Sequence, residues 1–164
     1  MKRFLPLLLA AFLLLLTACS GGSTGEVDQV YSMEQLQKAM LAADPTLAEG
    51  MLSITDKTED AETNFPYLSD FPYKDVEGFL LSYSSTGTAD EIAVIAVKDP
   101  DKVNAAADSL RDHLAHRQKL FETYTPAEAA RAETGVVFTQ GRNAVLIICD
   151  DIPAVRAAFE GYFD

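Results

Sequence analysis

The chain has 164 residues, of which 13 are basic and 25 acidic, for a formal charge of −12. That balance argues against nucleic acid as a partner, because binding phosphates takes clustered Lys and Arg. The length suits one domain with a real core.

Lys2 and Arg3 precede an apolar run from Phe4 to Leu16, interrupted by Pro6. A helix spanning a bilayer needs roughly 17 to 25 apolar residues, so this shorter run with a basic flank reads as the core of a signal peptide. It ends in Leu16-Thr17-Ala18-Cys19, followed by small residues. This ending resembles the lipobox of bacterial lipoproteins. The resemblance implies a signal peptide over 1–18, cleavage between Ala18 and Cys19, and a diacylglyceryl group on the Cys19 sulfur. Two acyl chains hold firmly where one holds marginally, each buried methylene contributing about 0.8 kcal/mol. The expected mature protein is anchored to the cell membrane through acylated Cys19, faces the extracytoplasmic side, and does not span the bilayer.

Ser20 to Val30, "SGGSTGEVDQV", has no periodicity and is rich in Gly and Ser, so 19–30 is read as the lipidated cysteine and a flexible tether. Such a tether has a typical end-to-end distance of roughly 18 Å, which keeps the domain close to the bilayer. Lys2 and Arg3 belong to the signal, so 11 basic residues face 25 acidic ones beyond it, a formal charge of −14. That field repels anionic headgroups and favours cationic peptides, metal ions or a basic protein face, or it simply keeps the domain soluble.

One domain is expected over 31–164. Ser32-Met-Glu-Gln35 has the spacing of a capping box, and Met33, Leu36, Met40 and Leu41 continue it as a helix that stops before Pro45. Gly50 to Ile54 has the look of a short strand, and Asp56 to Asn64 that of a charged loop. "FPYLSDFPY" then repeats Phe-Pro-Tyr at 65–67 and 71–73. Its aromatics either form a surface for a sugar ring or peptide or fold down to roof the core, and the second reading is the simpler one.

Glu77 to Ser84 and Asp90 to Val97 read as a hairpin across "SSTGTA". Asp99 and Pro100 start a long helix whose Val103, Ala107, Leu110, Leu114 and Phe121 share a face. Thr125-Pro-Ala-Glu128 reads as a second capping box, opening a short helix that ends near Gly135. Val136 to Thr139 and Asn143 to Cys149 form another hairpin across "QGRN", and Asp151 with Pro153 starts the last helix. The expected fold is therefore α+β, a mainly antiparallel sheet of about four strands in the order β-β-α-α-β-β-α behind an N-terminal helix. "IAVIAV" and "VLIIC" are apolar at odd and even positions alike, so both faces of the sheet should be covered. Helices of the second half can cover one face. The other is left to the first helix and the aromatic loop, or to a partner molecule.

"ADEIAVIAVKDPDKV", a long helix containing "RDHLAHRQKLFETYTP", and "GVVFTQGRNAVLIICDD" resemble a family of small bacterial lipoproteins, mostly from Firmicutes, catalogued as domain of unknown function 4358. The similarity runs from about Val76 to the C-terminus. It implies a membrane-anchored extracytoplasmic domain and transfers no catalytic residues.

Reactive residue types are present without a reactive pattern. His113 and His116, three apart on a helix, are placed to begin a zinc site, yet they fall away from the apolar stripe among Arg111, Arg117 and Lys119, where a solvated face is the better reading. Ser82, Ser84, Ser85, His113 and Asp90 supply the types of a hydrolase triad but no Gly-x-Ser-x-Gly elbow. Asp150 and Asp151 have the chemistry of an acid and base or a calcium site, though Asp before a Pro-containing first turn is what helix capping selects. With Cys19 acylated, Cys149 has no disulfide partner and reads as a buried thiol. No catalytic residue, metal or cofactor is assigned. The expected function is binding at the cell envelope, to a protein or a small ligand, with a cell-envelope hydrolase as the alternative.

Overall fold

The computed structural model of the chain describes residues 32–47 and 50–163. The signal peptide expected over 1–18, its expected cleavage between Ala18 and Cys19, and the tether expected over 19–30 lie outside the described residues. No helix among the described residues is long and apolar enough to cross a membrane.

The first helix, α1, spans Met33–Ala43, and Ser32 Oγ accepts the Gln35 N–H at 3.3 Å as its cap. Asp44, held extended before Pro45, ends it, as a residue preceding proline must leave the helical region. Strand β1, Met51–Thr55, follows, then a short α2 at Ala61–Asn64 and 3₁₀ turns at Phe65–Tyr67 and Tyr73–Asp75. Strands β2 (Val76–Ser84) and β3 (Glu91–Val97) come next, then the long α3 (Val103–Tyr124) and α4 (Pro126–Glu133). Strands β4 (Val136–Gln140) and β5 (Asn143–Ile148) precede the last helix, α5 (Ile152–Glu160). The β4–β5 turn uses Gly141 at φ +57°, the left-handed conformation a two-residue hairpin loop demands.

All strand pairs are antiparallel, and the sheet order is β1-β2-β3-β5-β4. The sheet thus has five strands among the described residues, against the four expected. The fifth is β1, the short strand expected at Gly50 to Ile54, which joins the sheet by pairing with β2 from Met51↔Ser84 to Thr55↔Leu80. It lies at the sheet's edge and fully buries only Thr55, so its sequence carries little hydrophobic alternation to assign it to the sheet.

The apolar runs are explained by cover on both faces. Ile92, Val94, Ala96, Val145 and Ile147 lie under α1 and α5, with Leu36, Met40, Val155 and Phe159 packed on them. Ala93, Ile95, Val97, Leu146 and Ile148 lie under Leu110, Leu114 and Phe121 of α3. The aromatic segment joins this second face, not the face of α1 with which the sequence grouped it. Phe65 and Phe71 are buried there, and Phe65 meets Phe79 edge-on with ring centroids 5.1 Å apart. Tyr67 stays exposed. The α4–β4 junction is pressed against this layer: a Cβ on Gly135 would sit 2.8 Å from Leu114 Cδ1 and 3.0 Å from Ile148 Cγ1.

Candidate functional site

The residues with chemistry gather where β3 begins and β5 ends. Side chains alternate along a strand, so Glu91 shares the α3 face with Ala93, Ile95 and Val97. Its carboxylate lands beneath α3, with 2% of the side chain exposed. A buried charge has to be matched, and two side chains one helical turn apart do so. His113 Nε2 lies 2.5 Å from Glu91 Oε1, and Arg117 Nε lies 3.0 Å from Oε2. The Arg117 Nε–H points off the carboxylate and makes no hydrogen bond, so this contact is an ion pair alone. The guanidinium also lies over the Phe121 ring, 4.8 Å from its centroid.

This corrects the reading of the histidines. The sequence groups His113 and His116 on a solvated face; His116 is exposed, whereas His113 is mostly buried and turned to Glu91. Among the described residues no group of three or more His, Cys, Asp or Glu is placed to hold a metal ion.

Arg131 of α4 organises a second cluster beside the first. Its Nη1 lies 2.7 Å from Asp90 Oδ1 and 2.9 Å from Asp150 Oδ1, and its Nε 3.4 Å from Glu128 Oε2. Burial works to lower the Arg131 pKa, but the surrounding carboxylates of Asp90, Asp150 and Glu128 outweigh it and hold the guanidinium above its ordinary value. The Thr88 hydroxyl donates to Asp90 Oδ2 at 2.6 Å. The capping box expected at Thr125 and Glu128 does not form. Thr125 makes no side-chain cap bond, and Glu128 Oε2 instead accepts the Ala89 N–H at 3.0 Å, a partner 39 residues away.

Asp150 and Asp151 have separate tasks. Asp150 joins Arg131, while Asp151 Oδ1 accepts the Ala154 N–H at 3.0 Å and caps α5. Asp44 lies on the other side of the sheet end, where Oδ2 accepts the Asp151 N–H at 2.9 Å and Oδ1 accepts the Thr46 N–H and hydroxyl. Burial works to raise the Asp44 pKa, and these bonds, with one from the Cys149 thiol, overcome it to leave the carboxyl below its ordinary range. Burial, then the charge of Asp44, pushes Cys149 up to about 12. At neutral pH it is a protonated thiol, which is a poor nucleophile.

The triad residue types are not brought together. Ser82 faces α1, bonded to Gln37 Nε2 at 2.8 Å and to Ser53 Oγ at 3.2 Å, on the opposite side of the sheet from His113. Ser84 Oγ braces the β2–β3 turn by accepting the Thr86 and Thr88 N–H groups.

Two hollows lie near the sheet ends. One of about 250 Å³ adjoins Arg117 and is lined also by Ser84, Thr88, Leu120, Phe121 and Tyr124. A larger one of about 470 Å³, among Asp56, Glu62, Tyr73, Lys74 and Lys98, lies at the opposite end. Its charges are of both signs, and Lys98 Nζ is already donating to the Lys74 carbonyl.

Sequence reasoning missed Glu91 and Arg131 altogether and placed Arg117 in solvent. The available signal for Glu91 was its register: it continues the Ala93-Ile95-Val97 row into the strand's first position. The signal for its partners was the four-residue spacing of His113 and Arg117.

Residues 50–149, more than half of the chain, match the family described as Domain of unknown function (DUF4358). The match begins just before β1, earlier than the sequence resemblance placed it, and ends at Cys149. It contains the whole sheet, the Glu91 cluster and the Arg131 cluster except Asp150, and leaves α1 and α5 outside. No curated protein and no solved structure matches the chain.

Proposed function

The chain belongs to the Domain of unknown function (DUF4358) family, and from that premise we propose that it is a lipid-anchored, extracytoplasmic domain that works by binding at the cell envelope and not by catalysis. One observation carries the reading. The side chains with catalytic chemistry at the sheet end are engaged with one another: His113 with Glu91, Asp150 with Arg131, Asp151 with the start of α5, and Cys149 as a protonated thiol.

The lipobox-like ending at Cys19 supports the anchoring. The position of Ser32, the first described residue, supports an orientation. Met33 packs on Gly78 at the start of β2, and Ser32 O accepts the Tyr162 hydroxyl, so the chain enters the domain at the end of the sheet opposite Glu91. A domain tethered there has the Glu91 and Arg131 end of its sheet distal to the anchor, toward partners in the envelope.

Cell fractionation of the full chain tests the anchor. Wild type should partition with the membrane in high salt and incorporate labelled fatty acid; Cys19→Ala should do neither, and a Cys19→Ala variant still cut after Ala18 and membrane-bound in high salt would refute the lipobox reading. The alternative, a cell-envelope hydrolase using His113 or the Asp150–Asp151 pair, requires cleavage of wall or peptide material that His113→Ala, His116→Ala or Asp150→Asn abolishes while leaving stability intact.

A further inference from the structure

The groove beside Arg117 has a donor group that the fold holds still and does not use. Nε is buried against Glu91, and the plane of the guanidinium rests on Phe121. Among the described residues none hydrogen-bonds Nη1 or Nη2, in contrast to Arg131, whose Nη1 serves two carboxylates. The guanidinium is thus pinned at Nε and on one face, and Arg117 lines the groove. A guanidinium in that state matches a carboxylate in two parallel hydrogen bonds, and its ordering cost is met before binding.

The walls say what carries the carboxylate. Leu120 and Tyr124, one turn apart on α3, are two of the four large apolar side chains left exposed among the described residues, Tyr124 at 77%. They flank the groove together with Thr125, whose hydroxyl is free because it caps nothing. These walls match the C-terminal residue of a peptide, whose apolar side chain stands next to its carboxylate and whose backbone amide comes within reach of a hydroxyl. The volume points the same way: about 250 Å³ falls below the roughly 300 to 1,000 Å³ that encloses a whole small ligand, so the groove suits the end of a longer one. Charge disfavours a polyanion. Glu91 already offsets part of the Arg117 charge, and the domain as a whole is strongly acidic, which leaves room for a single negative group.

We propose that this groove captures the free C-terminal carboxylate of a peptide ending in an apolar residue. The inference rests on the binding reading above and names the ligand class for it.

The test uses the full chain in detergent micelles, titrated with acetyl-Ala-Ala-Leu as the free acid and as the C-terminal amide, by calorimetry and by NMR. The acid should bind about tenfold more tightly than the amide, the ratio expected when a charge-assisted hydrogen bond is lost. Shifts should be confined to residues 84–88 and 117–125. Arg117→Gln should erase the preference for the acid. Tyr124→Ala, which alters only an exposed side chain, should weaken binding about threefold without changing Tm, since it removes apolar surface that the terminal side chain would cover. Equal binding of acid and amide, binding of neither, shifts elsewhere, an unchanged affinity in Tyr124→Ala, or tighter binding of an N-acetylglucosamine oligomer would overturn the groove proposal alone. Cleavage of the tripeptide, seen by mass spectrometry, would overturn the binding reading as well.

Discussion

On one face of β3, Ile92, Val94 and Ala96 lie under α1 and α5; on the other, Ala93, Ile95 and Val97 lie under α3, and the same row begins with the Glu91 carboxylate. The α1–α5 layer makes its buried polar contacts with neutral groups or helix ends: Gln37 with Ser82, and Asp44 with the Asp151 N–H before α5. The α3–α4 layer has a neutral contact, Ser69 with Ser109, and adds ions at the sheet end, one carboxylate between His113 and Arg117 and one guanidinium among Asp90, Glu128 and Asp150. The two layers close the sheet differently. The second depends on matched charges at one end, and the unused donors of Arg117 lie at that end.

The largest effect should come from breaking the match. Glu91→Ala leaves a guanidinium and an imidazole facing a buried gap, and should cost about 3 to 5 kcal/mol in urea unfolding, because removing one partner strands the other. A cost under about 1 kcal/mol would mean that water already solvates this cluster. Asp44→Asn comes next, at about 1 to 3 kcal/mol, since it weakens acceptors for Thr46 and for the Asp151 N–H. Its sign with pH follows from the depressed carboxyl. The Asp44 contribution is fully present above its ordinary value of 3.8 and is lost as pH falls through the lower folded value. The gap between wild type and Asp44→Asn should therefore hold steady from neutral pH down to about 4 and narrow below it. Smallest is the contrast between the two capping serine and threonine positions. Ser32→Ala should cost about 1 kcal/mol, whereas Thr125→Ala should change stability by less than about 0.5 kcal/mol, because only Ser32 caps its helix.

That contrast also marks how far the sequence is legible. Local patterns read correctly where the partner is local: Ser32 caps α1 three residues on, Asp151 caps α5, and Gly141 turns the second hairpin. The doubly apolar runs reveal a sheet covered on both sides. Thr125 and Glu128 have the same capping spacing, but Glu128 is drawn to the Ala89 N–H, which no window around α4 contains. Helical periodicity turns His113 away from the apolar stripe and cannot distinguish solvent from a carboxylate on a strand 22 residues earlier. The edge strand β1 gains its pairing from Tyr83 and Ser84, about thirty residues on, and not from its own alternation. The Arg117 groove needs both helix register and the β2–β3 turn, so it becomes visible only when α3 is laid on the sheet.

The measurement that tests the account most directly is a double-mutant cycle on Glu91→Gln and His113→Ala, read as unfolding free energy. If the two groups are engaged with each other to hold α3 on β3, the coupling should be about 1 to 3 kcal/mol. Coupling within about 0.5 kcal/mol of additivity would contradict it, leaving His113 free for the acid–base chemistry that the binding reading denies it.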